Sequence, residues 1–130
     1  MKENSVALVL QDHSLMPSVE RVFSTIDPLT ADFVYIRLLG DRKAIEAKTT
    51  IWNQVIEDRT ASMNSWVDVC KMVQRRGISQ YVYFNNHYEG FAVASVQRFR
   101  RLCAEKGVAT PLNVQFPAVI EPTLFDISPN

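Results

Sequence analysis

Phe33-Val34-Tyr35-Ile36-Arg37-Leu38-Leu39-Gly40 crowds β-branched and aromatic residues into a short run that halts at a glycine. Such a run reads as a strand. Two similar runs flank it: Val6-Ala7-Leu8-Val9-Leu10, closing on Gln11-Asp12-His13, and Tyr81-Val82-Tyr83-Phe84, closing on Asn85-Asn86-His87. Apolar side chains fill both faces of each run, as in strands buried on both sides. A helical pattern follows every run, so the order is β-α-β-α-β-α. That order implies parallel strands, Val6–Asp12, Phe33–Leu38 and Tyr81–Asn85, lying adjacent in sequence order with helices covering them.

The helices are read from apolar spacing. A short one is expected to start at Pro17, a residue suited to a first helical position, with Val19, Val22 and Phe23 on its buried side. Between Gly40 and Gly77 there is neither proline nor glycine. Trp52, Ile56, Met63, Trp66, Cys70 and Val73 recur there in steps of four and three, with Arg59 in the gap. This stripe predicts one long helix, or two with a kink near Thr60–Ser62. Arg59 in the stripe is expected to snorkel or to join an ion pair. The last helix carries Ala92, Val96, Phe99 and Cys103 on one side and ends at Gly107. Beyond lie Pro111, Pro117 and Pro122 in a tail better suited to lying over a surface than to forming a regular element. The expected organisation is therefore one domain over residues 1–108 and a proline-containing tail over 109–130.

Composition narrows the function classes. Lys+Arg and Asp+Glu number 14 each among 130 residues, leaving no net charge. A protein that coats nucleic acid needs surplus positive charge, so that class is disfavoured. Arg75, Arg76, Arg98, Arg100 and Arg101 could make a local basic surface, for which a solvated helix face is the usual explanation. Cys70 and Cys103 fall at apolar helix positions and read as buried free thiols. The apolar run Val6–Leu10 is too short for a signal peptide or a membrane span, and the default expectation is a cytoplasmic chain.

Tyr81-Val82-Tyr83-Phe84-Asn85-Asn86-His87-Tyr88-Glu89-Gly90 resembles the signature of the YecE-like domain-of-unknown-function family. Ala31-Asp32-Phe33-Val34-Tyr35-Ile36-Arg37, Gly40-Asp41-Arg42-Lys43, Ile45-Glu46, Thr50 and Trp52 extend the likeness, and Gln11-Asp12-His13-Ser14-Leu15-Met16-Pro17 resembles the preceding strand end. The resemblance spans roughly Val6 to Leu102. It implies a TIM-like (β/α) barrel of which these would be the last three βα units. A barrel of that type usually has about 250 residues, so this chain would be its C-terminal part and not a complete enzyme. Leu39 and Phe91 stand where many members carry histidine, so a metal or proton-transfer role for those histidines does not carry over. The resemblance supplies a fold and no reaction.

All three strands turn polar at their carboxyl ends, where parallel α/β proteins bind ligands. Arg37 alternates with Phe33 and Tyr35, and its planar cation suits either a phosphate or carboxylate ligand or an ion pair with Asp12. Asn85 and Asn86 suit a polar ligand or the fixing of a turn. Arg42, after Gly40-Asp41, suits an anion near a helix start, while Asp41 suits a cap. Asp12 is the group assigned to acid/base work. His13 and His87, with Asp12 or Glu89, lack the spacing of any known metal motif, and no metal is assigned. The expected function is the binding of a small anionic ligand, with no cofactor or reaction assigned. The alternative is a non-enzymatic remnant acting by self-association, as a homodimer, or through a protein partner. Nucleic-acid contact ranks below both, and no membrane association is expected.

Overall fold

The computed structural model describes residues 4–111. Three strands, β1 (Val9–His13), β2 (Phe33–Gly40) and β3 (Ser79–Phe84), form one parallel sheet in the order β1-β2-β3. The expected adjacency and direction are therefore present in a mixed α/β architecture. Helices α1 (Val19–Thr25), α3 (Thr60–Arg75) and α4 (Ala92–Glu105) pack against the sheet and one another; the short α2 (Arg42–Glu46) sits beyond the end of β2.

Alternation along β2 sorts the two faces. Val34, Ile36 and Leu38 are buried beneath the helices, where they meet Met63, Val67, Cys70 and Val73 of α3 and Phe99 and Cys103 of α4. The opposite face carries Phe33, Tyr35 and Arg37 with Tyr81 and Tyr83 of β3. Tyr81 and Tyr83 are 51% and 52% exposed, so burial on both faces does not hold for this chain. The rings pair across strands, Phe33 with Tyr81 edge-on at 6.1 Å and Tyr35 with Tyr83 tilted at 4.9 Å.

Several boundaries differ from those expected. β1 begins at Val9 because Thr30 occupies the chain before it: the Thr30 hydroxyl donates to the Val6 carbonyl and accepts from the Leu8 N–H. α1 starts at Val19, capped by Ser18, whose side chain accepts from Arg21 N–H. The long helix, or kinked pair, expected between Gly40 and Gly77 is instead a short α2 and, well separated from it, α3. Asp41 caps the short α2 by accepting from Ala44 N–H, and helix resumes only at Thr60. Glu89 explains the gap. Its backbone carbonyl accepts from Ile56 and Glu57 N–H, and its carboxylate accepts from Arg59 N–H at 3.1 Å. Asp58 takes the Thr60 N–H. Those donors would otherwise serve the helix ladder, so distant and local acceptors prevail over periodicity. The tail from residue 112 onward lies outside the described residues.

Candidate functional site

Register decides which strand-end side chains share a face. Gln11 pairs with Arg37 and Arg37 with Tyr83, so these three form one row across the open face. Arg37 is exposed and has no hydrogen-bond or ion-pair partner among the described residues. β1 then skips a residue: Asp12 pairs with Leu38 and His13 with Gly40. At the same place the backbone of Gly40 lies against that of residues 87 and 88. A Cβ on Gly40 would fall on the His87 carbonyl oxygen and within 2.6 Å of Tyr88 Cα, and its φ of +69° favours glycine as well.

Asp12 shares its face with Leu38 and points toward the helices, away from Arg37. The suggested Arg37–Asp12 ion pair is therefore absent. The Asp12 Oδ2 accepts from Ser62 Oγ at 2.5 Å and Trp66 Nε1 at 2.9 Å, while Arg59 Nη1 lies 4.0 Å from its Oδ1. The Tyr88 hydroxyl donates to Ser62 Oγ at 3.0 Å, completing a Tyr88–Ser62–Asp12 chain. Burial, above all, pushes the Tyr88 hydroxyl pKa up. A cleft of about 340 Å³ opens beside Asp12 between β1, α1 and α3, lined by His13, Ser18, Glu20, Ser62, Ser65 and Trp66 among others.

The amides serve the turn after β3. Asn85 Oδ1 accepts from His87 N–H at 3.0 Å and lies 2.7 Å from His87 Nδ1, which must carry its hydrogen there. The Nε2 meets Glu46 Oε1 at 3.1 Å, as a donor only when the ring is an imidazolium. Asn86 Oδ1 accepts from Ala92 N–H and so holds the start of α4. Arg42, largely exposed on α2, bonds Glu46 at 2.7 Å, and this contact is the main cause holding the Glu46 pKa below its ordinary value. Arg37, Gln11 and Tyr83 thus share one surface, whereas Asp12 and Arg42 are engaged elsewhere. Among the described residues, no three His, Cys, Asp or Glu side chains gather where they could hold a metal ion. Nor is any described helix long and apolar enough to cross a membrane.

A family profile described as "Protein of unknown function DUF72" matches residues 1–121. The chain belongs to this family. Comparison with curated proteins and with solved structures gives no match.

The centre of this DUF72 chain's polar architecture is Glu89, which sequence reasoning weighed only as a metal ligand. It is fully buried and accepts from Arg98 Nη1 at 2.6 Å and Ser95 Oγ at 2.7 Å. Arg98 also pairs with Asp58 at 2.9 Å and bonds Thr60. The Thr60 hydroxyl and N–H, and after them Arg98, hold the Asp58 pKa down at about 2. Arg98 is therefore no free member of a basic helix face, and Arg76 is likewise held by Asp27 at 3.1 Å. Arg59 pairs with Glu57 at 3.3 Å and lies over the Tyr88 ring, fulfilling the ion-pair expectation. Glu89 was the detectable signal: a carboxylate beside Gly90 and three positions before an apolar helix stripe needs a cation when buried.

Proposed function

We propose that this chain is the C-terminal part of a YecE-like, TIM-like (β/α) barrel and that it binds a small phosphate- or carboxylate-bearing ligand at the carboxyl ends of its strands. Arg37 carries the reading: an exposed guanidinium without a partner among the described residues, in one row with Gln11 and Tyr83 on the open face. A planar cation of this kind takes two oxygens of an anion at once. Asn85 lies one position beyond the strand end and orients the ligand through its amide nitrogen, its oxygen being used in the turn. Arg42 adds charge from α2. In this reading Asp12 orders Ser62 and Arg59 behind the sheet. Residues 1–108 form the barrel part, residues 109–130 the tail, and the setting is cytoplasmic.

Thermal unfolding with added phosphate or sulfate tests the site. At ten times the dissociation constant, native-state binding adds about 1.4 kcal/mol, a shift of several degrees. Arg37→Ala is expected to abolish the shift, and Arg42→Ala to reduce it. A parent-like response of Arg37→Ala would remove Arg37 from the site.

A second reading, self-association of a non-enzymatic chain, is favoured by the exposed aromatic pairs of the open face.

A further inference from the structure

The charges of the three strands are divided between the two sides of the sheet. Asp12, the one carboxylate that β1, β2 and β3 carry, turns toward the helices, while Arg37 stands on the open face. Register fixes the neighbours of Arg37. Gln11 on β1 and Tyr83 on β3 pair with it, and Tyr35 precedes it by two residues on β2. Adjacent strands run about 4.8 Å apart, so one small molecule can touch both the guanidinium and the Tyr83 ring. Tyr83 is half exposed although its ring rests against Tyr35, with centroids 4.9 Å apart and planes inclined by 32°. It is thus propped by a second ring and still open to solvent. Phe33 and Tyr81 continue the aromatic surface away from the strand ends. An unpartnered guanidinium accounts for an anion alone; it does not account for an aromatic ring held in water beside it.

We infer that the anion taken by Arg37 is the phosphate of a molecule that also carries a flat heteroaromatic ring, as a mononucleotide does, and that this ring stacks on Tyr83. The inference rests on the anion site proposed above and names the class of its ligand. Stacking on an exposed tyrosine favours any such ring, because every base has a π-face. The guanidinium meanwhile takes two phosphate oxygens at once. Arg37 is the one fixed cation that the strands place on this face. One cation matches one phosphate, whereas the backbone of a nucleic-acid strand is held by several in a track. A second copy of the chain would cover the same rings, so the ligand and self-association compete for the face.

Calorimetric titration of the 130-residue chain with AMP, ribose 5-phosphate and inorganic phosphate separates the two parts of the ligand. AMP is expected to bind about tenfold more tightly than ribose 5-phosphate, the difference being the stacked base. Tyr83→Ala should bring AMP down to the affinity of ribose 5-phosphate, Tyr83→Phe should keep the difference, and Arg37→Ala should weaken both ligands. Flavin mononucleotide in place of AMP tells the two sources of such a ring apart, the tighter ligand naming the source. Equal affinity of the parent for AMP, flavin mononucleotide and ribose 5-phosphate overturns the inference and leaves the anion site standing; that comparison needs no variant to fold. Absence of binding by all four compounds overturns both. AMP binding that Tyr83→Ala leaves intact also overturns the inference, since the base then lies elsewhere. So does a single-stranded oligonucleotide that binds where AMP does not, by assigning the rings to a polymer.

Discussion

Glu89 joins three stretches of chain through one residue: its carbonyl and carboxylate hold the segment before α3, while Ser95 and Arg98 bind it from α4. Removing one member of a buried pair leaves the other charge uncompensated, so Glu89→Ala should cost about 3 kcal/mol or more. Urea unfolding checks this. A loss below about 1 kcal/mol would show that the network relaxes around the gap. Glu89→Gln keeps acceptor capacity and should lose less. At this scale the sequence was only partly legible. That Arg37 shares a face with Phe33 and Tyr35 followed from simple alternation, whereas its exposure did not, and Asp12 one strand away took the opposite parity. Glu89 could be suspected from its place before an apolar helix, but its contact with the Arg59 N–H and the Arg98–Asp58 pair span long stretches of sequence, and no local pattern encodes such meetings.

Elements were legible where one physical requirement governed them. β-branched runs became strands, and the stripes of α3 and α4 buried Met63, Trp66, Cys70, Val73, Phe99 and Cys103 as their spacing required. Residues 47–59 defeated the same logic, since periodicity counts apolar side chains and takes no account of long-range acceptors for backbone N–H groups. The turn after β3 exposes a related dependence. Gly40 is pressed against residues 87 and 88, so the end of β2 and the asparagine turn hold each other in place. Gly40→Ala meets both a left-handed backbone and a backbone collision, and should destabilise by about 2 kcal/mol or more. It should also disturb His87 and Asn85, which histidine and asparagine NMR signals would report. Unchanged stability and signals would mean that the two backbones separate freely.

For the whole molecule, the fold class followed from the order of elements, but the environment of the open face did not, because a strand pattern says which side chains share a face and not what covers it. Val9, Phe33, Tyr81 and Tyr83 are all exposed on it. Among the described residues nothing covers this surface, so self-association through it is expected. Light scattering after size exclusion should give twice the chain mass, and Tyr81→Lys with Tyr83→Lys should return the mass of one chain. A parent that stays monomeric and binds no hydrophobic dye would count against the self-association reading. The strictly parallel sheet has a further consequence, for the timing of assembly. No two strands are joined by a tight turn, so no ladder can zip up locally; each strand waits until an entire intervening helical segment has been made and folded back. Loop closure must precede the contacts that reward it, which makes refolding slow relative to a helical bundle of equal length. The amphipathic α3 can form early, on its own turns, while β1 pairs with β2 only once the segment between them has folded back.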